Sequence, residues 1–411
     1  MRKEEEKEIE DLLKVRIETL NELDLQEEDL EPDEDPQVIS KRKAEFNRAV
    51  KDIPKGREGL DALNQSGPAN RVEERLSQVG PGDPEGVPYR ESFSQVECAE
   101  RDFAYKKHVL LEYNQTLKYV HRLYGSLTTG AGTSYRHIQH AVEPFMTILE
   151  SDQAIIQNLS TFVYSENDYL YNHLIRVCLL SINIAAASGY SKQQVEEVGA
   201  AALLADIGMT LIDEKIRQKM SPLDEDEMYE VQKHPILGVY CLERIKDISN
   251  PVMFVAYQHH ERLTGVGYPK GRKGRLIHNY ARIVAIADVF EAMCSERTYR
   301  IALNPNEALK KIHQMAEMNL LDKKFVNNFI KSISRYPVGS LVKLSDGSLA
   351  KVIQANVDQP DQPVVAAIAN ENGRFVAEDR IIRLDLAKDK SVEIKAAIDN
   401  RSGKNDLMLG F

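Results

Sequence analysis

At 411 residues, with 42% hydrophobic and 28% charged residues, the chain is long enough for two or three domains and a sizeable core. A formal net charge of -11 argues against broad binding to nucleic acid or to anionic membranes, while leaving room for a local basic pocket. The four cysteines (Cys98, Cys178, Cys241 and Cys294) are scattered with no CxxC pair, so neither a disulfide framework nor a zinc knuckle is suggested and a reduced cytoplasm fits best.

In chain order, the opening MRKEEEKEIE is too charged for a secretory signal. No apolar run is expected to reach the roughly 20 residues that span a bilayer. EIEDLLKVRIETLNELDL places Ile9, Leu12, Leu13, Ile17 and Leu20 on one helical face, and the acidic, proline-punctuated QEEDLEPDEDP after it should be solvated. NQSGPAN and VGPGDPEGVP read as linkers, because glycine and proline break regular structure. Residues 1–102 are therefore expected to form an acidic amino-terminal extension with a helix and a flexible linker.

Residues 103–335 carry a persistent helical pattern. KKHVLLEYNQTLKYVHRLY, AVEPFMTILES, NHLIRVCLLSINIAAASG and KQQVEEVGAAALLADIG repeat apolar residues at i, i+3 and i+4, several stopping at glycine. PNEALKKIHQMAEM opens with the proline and acid suited to a first turn. From 336 to 411 the pattern changes: SLVKLSDGSLAKVIQA, PVVAAIANENGRFVAE and SVEIKAAI are short β-prone runs joined by Asp-Gly and Asn-Gly turns. The expected fold is mainly α, a helical bundle with a small C-terminal antiparallel β unit.

The chemistry should lie with histidine and aspartate. Asp206 ends the apolar AALLAD, where a carboxylate is costly to bury without a partner. His173 lies in YNHLIRV, His234 in QKHPILG, His259 and His260 form the doublet of YQHHERLTGVGYPKG, and Asp288 closes RIVAIAD. Taken singly, each has an ordinary reading as a surface or core residue. Together, imidazoles and carboxylates drawn from several helices suit first-row transition metals, and an aspartate can bridge two such ions. A bridged pair activates water and withdraws charge from a phosphodiester. In GVGYP, Gly265 and Gly267 permit close backbone approach to a ligand, and Tyr268 offers a ring and a hydroxyl. His137 and His140, one turn apart, lack a third ligand nearby in sequence and read as surface or packing residues.

HHERLTGVGYPKGRKGRLIHNYARIVAIADVFEAMCSERTYR resembles the signature of the HD-GYP family, a branch of the HD phosphohydrolases that hydrolyses cyclic di-GMP. The likeness runs back through QKHPILGVYCLERI, ALLADIGM and YNHLIRV and forward into YPVGSLVKLSDG, covering roughly residues 105–400. It implies an HD-type helical core. It also implies metal ligands at His173, Asp206 and Asp288 for a first metal, and at His234, His259 and His260, sharing Asp206, for a second. By the same likeness Asp206 is expected to be the bridging, catalytic aspartate of the histidine-aspartate pair. Gly265, Gly267, Tyr268 and Pro269 stand at the GYP loop, and Arg297 matches an arginine associated with substrate phosphate. Iron or manganese is the expected metal, cyclic di-GMP the expected ligand, and diguanylate-cyclase domain proteins are expected to dock on the GYP loop. No nucleic-acid polymer and no membrane span are expected; a homodimer is left open.

The motif departs from the family pattern in three places. His-Asp-x-Gly-Lys is here Ala205-Asp206-Ile207-Gly208-Met209, and Thr264 replaces an aspartate in RLTGVGYP. Alanine offers no lone pair, so the first metal position is expected to keep three protein ligands and the other position its full set. Met209 removes a positive charge that would face the phosphate. Two features could keep activity: an open position filled by water, or Glu291 reaching inward from three places after Asp288. Three readings follow in order: a catalytically impaired member that binds metal or cyclic di-GMP and acts through partners; an active phosphodiesterase yielding linear dinucleotide or GMP; and an interaction scaffold.

Overall fold

The computed structural model describes residues 53–89, 103–129, 133–151, 169–219, 221–295, 302–333, 336–356, 359, 361–370, 374–376 and 381–398. The helix expected around Ile9 to Leu20 and the acidic run after it lie outside the described residues, as does Arg297.

Two helices, α1 (Gly56–Asn64) and α2 (Gly67–Gln78), form within the expected extension, and NQSGPAN, read as a linker, runs from the last residue of one into the first turn of the other. The Gly-Pro of NQSGPAN does not break structure; it opens α2, where proline has no helical N–H to lose. Leu60, Leu63, Ala69 and Val72 are buried against Ile236, Leu237, Phe254 and Tyr257. This helical hairpin is thus a packed part of the domain.

The stretch VGPGDPEGVP has no helix or strand, yet it is a fastened strap. Pro81 O accepts from Asn279 N (2.7 Å), Gly82 O from the Tyr190 hydroxyl (2.9 Å), and Asp83 O from Gln194 Nε2 (3.0 Å). Gly82 has φ +77°, and a Cβ there would lie 2.3 Å from the His278 ring, so this approach requires glycine.

Among the described residues, eight longer helices build the core: α3 (Phe103–Thr129), α4 (Tyr135–Ser151), α5 (Tyr169–Ala187), α6 (Lys192–Leu204), α9 (His234–Leu242), α10 (Asn250–Gln258), α11 (Asn279–Cys294) and α12 (Pro305–Glu317); α13 (Lys323–Ser332) closes the bundle. Short α7 (Glu214–Arg217) and α8 (Glu225–Val231) connect α6 to α9. Helix α5 is apolar nearly all round, as a helix enclosed by neighbours must be. By length and composition it could cross a membrane, contrary to the expectation that no run would qualify, but most of it is buried inside the bundle. His137 and His140 are exposed on α4, where His140 Nδ1 meets Glu143 at 3.0 Å.

The C-terminal unit is a five-stranded antiparallel sheet in the order β4-β3-β2-β1-β5, from β1 (Leu341–Leu344), β2 (Leu349–Gln354), β3 (Val364–Ala369), β4 (Ile382–Asp385) and β5 (Ile394–Ala397). The Asp346-Gly347 pair turns β1 into β2 with Gly347 at φ +89°. Strand β4 went unanticipated: its exposed edge lacks the alternation that marks a half-buried strand.

His278 caps α11, accepting from Tyr280 N, and burial pushes its imidazole down to about 4. Between about pH 6.5 and 4 the unfolded chain therefore takes up a proton that the folded chain refuses, so stability falls as pH falls through this window. The expected loss from pH 7 to pH 5 is about 2 kcal/mol from this group. Denaturant titrations at both pH values should show His278→Asn, which keeps a capping acceptor, with a correspondingly smaller loss. Equal losses in both proteins would rule this out.

Candidate metal centre

Six side chains from five places in the fold converge. His173 comes from the first turns of α5, Asp206 from the end of α6, His234 from the first residue of α9, His259 and His260 from the end of α10, and Asp288 from α11. Gly208 explains the glycine of ADIGM. A Cβ there would lie 2.0 Å from His234 O and 2.5 Å from Gly238 N, so only glycine lets the turn after Asp206 press onto the helix bearing His234.

Asp206 faces two ways. Its Oδ1 lies 3.2 Å from His234 Nε2 and 3.4 Å from His259 Nε2, while Oδ2 lies 3.5 Å from His173 Nε2. Asp288 Oδ1 lies 3.3 Å from His173 Nε2, and its Oδ2 3.9 Å from His260 Nδ1. The donors form two groups, Asp206–His234–His259–His260 and His173–Asp206–Asp288, with the donor atoms of each within 4.8 Å of one another.

The hydrogen bonds indicate that a cation belongs here. His234 Nδ1 is 2.7 Å from Val231 O, and His259 Nδ1 is 3.0 Å from Val255 O. Each Nδ1 is thereby the donor, leaving each Nε2 with a lone pair. Yet those two Nε2 atoms are 3.3 Å apart and both face a carboxylate oxygen. Acceptors so gathered need a proton or a metal among them. Nitrogen and carboxylate donors in this mixture suit a first-row divalent ion.

Burial opposes charge on Asp206, but the imidazoles of His173, His259 and His234 beside it hold its carboxyl well below the usual range. Burial would lower His173, but Glu291, Asp206 and Asp288 carry it well above its ordinary value. His234 is pushed down to about 4 by burial against the pull of Asp206, and His260 falls well below its usual value through burial and its histidine neighbours.

Glu291, considered from sequence as an inward-reaching ligand, serves otherwise. Its carboxylate binds His173 Nδ1 on the side away from the aspartates, takes Arg176 Nη2 at 2.7 Å, and accepts from Ser295 Oγ. It holds the His173 ring rather than joining the donor groups. Arg176, one turn beyond His173 in YNHLIRV, was a missed signal of this arrangement.

The GYP loop folds back on the doublet. A Cβ at Gly267 would lie 2.4 Å from His260 O, and Gly265 has φ +87°. The Tyr268 ring stacks on His260 with centroids 4.6 Å apart, and the Tyr268–Pro269 peptide is cis. Glu261, passed over in the sequence, is buried and accepts from Lys270 N (2.8 Å) and Arg272 N (2.9 Å), so the loop wraps round its carboxylate. On the other side of the cluster Tyr169 lies parallel to His173, with centroids 6.2 Å apart. Ala205 is buried at the end of α6, and Met209 packs in the apolar cluster shared with α1 and α2.

A helical bundle that gathers histidine and aspartate donors in this way is an HD domain, and residues 157–325 match the HD domain family. Residues 341–406 match the KOW domain associated with HD domain. By that match residues 157–325 carry an HD domain, and curated relatives of the chain are named as cyclic di-GMP phosphodiesterases. It is 32% identical over 249 residues to the cyclic di-GMP phosphodiesterase PA4108 of Pseudomonas aeruginosa, covering 60% of this chain and 56% of that one. It is 39% identical over 127 residues to the cyclic di-GMP phosphodiesterase response regulator RpfG of Xanthomonas campestris, covering 31% and 34%. Bd1817, an HDG"Y"P protein from Bdellovibrio bacteriovorus, aligns in structure with a TM-score of 0.46 at 18% identity, over 57% of this chain and 73% of that one. The chain spans about half the length of the first curated relatives it matches.

Proposed function

We propose that this chain binds cyclic di-GMP at an asymmetric pair of divalent metal positions, is impaired as a phosphodiesterase, and acts in the cytoplasm through a partner that reads its ligand state. The observation that carries this reading is the unequal donor set: four side chains in one group and three in the other, with Ala205 beside the shared Asp206. Iron or manganese held there would supply Lewis-acid charge to a phosphodiester and lower the pKa of water. The chain's own residues do the rest. Asp206 spans the two groups, Glu291 fixes the ring of His173, and Tyr169 and Tyr268 flank the cluster with faces suited to purine stacking. Diguanylate-cyclase domain proteins are the proposed partners, docking at the loop tip where Val266 is 74% exposed.

The second reading, an active phosphodiesterase, is favoured by the three-donor group itself. Three protein ligands with a further position open is the usual form of a catalytic metal site. Anaerobically iron- or manganese-loaded protein should bind cyclic di-GMP at micromolar concentration by calorimetry. It should yield no linear dinucleotide by chromatography, whereas the Ala205→His, Met209→Lys variant gains turnover. Turnover by the unaltered protein with two metals bound would transfer the conclusion to the enzyme. Absence of nucleotide binding by metal-loaded protein would remove both readings.

A further inference from the structure

The α1–α2 hairpin lies outside the residues that match the HD domain, yet it touches both structures that frame the metal centre. Beneath it, Leu60, Leu63 and Val72 share an apolar cluster with Ile236 and Leu237 of α9 and with Phe254 and Tyr257 of α10, the helices that bring in His234 and the histidine doublet. At one end, the buried ammonium of Lys233, next to His234, donates to Pro54 O (2.7 Å) and Glu230 (2.8 Å), and Glu230 also accepts from Gly56 N. At the other end, Asn64 Nδ2 donates to Pro269 O (3.0 Å), Lys270 Nζ donates to Asn64 O, and the Arg272 guanidinium pairs with both oxygens of Glu73.

We infer that this hairpin is a clamp on the GYP loop, with Asn64 and Glu73 as positioning residues. The loop is gripped on two sides: from within, Glu261 binds the backbone of Lys270 and Arg272; from without, the hairpin binds Pro269 O, Lys270 and the Arg272 side chain. An open cleft of about 490 Å³, lined by Glu73 of the hairpin and by Lys270, Gly271, Arg272, Lys273 and Leu276 of the loop, lies where the two meet. Tyr268 stacks on His260 directly before Pro269, so the clamp sets where that ring sits over the centre.

Hydrogen exchange on the full, metal-loaded chain tests this without reference to nucleotide or turnover. In Glu73→Ala and Asn64→Ala, amides of residues 262–276 are expected to exchange about five- to tenfold faster, with α5 and α6 unchanged. The charge swap Glu73→Arg with Arg272→Glu should restore slow exchange in the loop, which a purely structural loss at position 73 would not allow. Unchanged loop exchange in both single variants, an equal rise throughout the bundle, or failure of the swap to restore protection would each overturn the clamp.

Discussion

Asp206→Asn should empty both metal positions in a single step, whereas His173→Ala should empty only one. The reason is the division of labour between the two carboxylate oxygens, Oδ1 toward His234 and His259 and Oδ2 toward His173. Asparagine keeps one carbonyl oxygen, replaces the other with an N–H₂ donor and removes the negative charge. One group loses its sole carboxylate and the other loses one of two. Loss of residues that merely support ligands costs about 10- to 100-fold in affinity, so loss of a shared ligand should exceed that for each ion. Metal analysis after dialysis should find close to none on Asp206→Asn and about half the native content on His173→Ala. A metal that binds the folded chain raises its stability by an amount that grows with the logarithm of its affinity. The melting-temperature gap between metal-loaded and chelator-treated protein should therefore vanish in Asp206→Asn. One ion retained tightly by that variant would show that the two groups do not share this carboxylate.

The second large effect belongs to Glu291, which touches no ion yet should affect both stability and one metal. Its side chain is 1% exposed and lies between His173 Nδ1 and Arg176; burial opposes its charge, but those two groups outweigh it and hold its carboxyl down to about 2. Glu291→Gln preserves shape but removes the counter-charge of a guanidinium whose side chain is 9% exposed. Breaking a buried pair from one side is destabilising by about 3–5 kcal/mol. His173 also loses the acceptor that orients its ring, so the three-donor group should weaken about 10- to 100-fold while the four-donor group is spared. Urea denaturation of chelator-treated protein isolates the first effect, and metal titration of folded protein the second. Equal weakening of both groups would mean that Glu291 supports the fold but not His173 in particular.

These effects separate what was readable along the chain from what was not. Periodicity marked α5 and α6, because a helix enclosed by others carries its burial in its own composition. The Asp-Gly turn marked the β1–β2 hairpin, because a two-strand register is local. The order of His173, Asp206, His234, His259, His260 and Asp288 was legible through a motif, and the bundle brings all six together. Local reading failed where the partner of a residue lies far along the chain. Gly67-Pro68 had the marks of a breaker, yet it starts a helix whose apolar positions are few and meet surface some 170 residues away. The strap at 79–89 read as loose because glycine and proline carry no packing signal of their own, and its order comes from Tyr190, Gln194 and Asn279. Glu291 sits at ligand spacing from Asp288, and only the packing of α11 against α5 turns it onto the far nitrogen of His173. Sequence by itself determined which donors this protein owns. The tertiary structure decided which oxygen of Asp206 faces which histidine and which carboxylate stands behind a ligand, because those relations depend on how helices distant in sequence are pressed together.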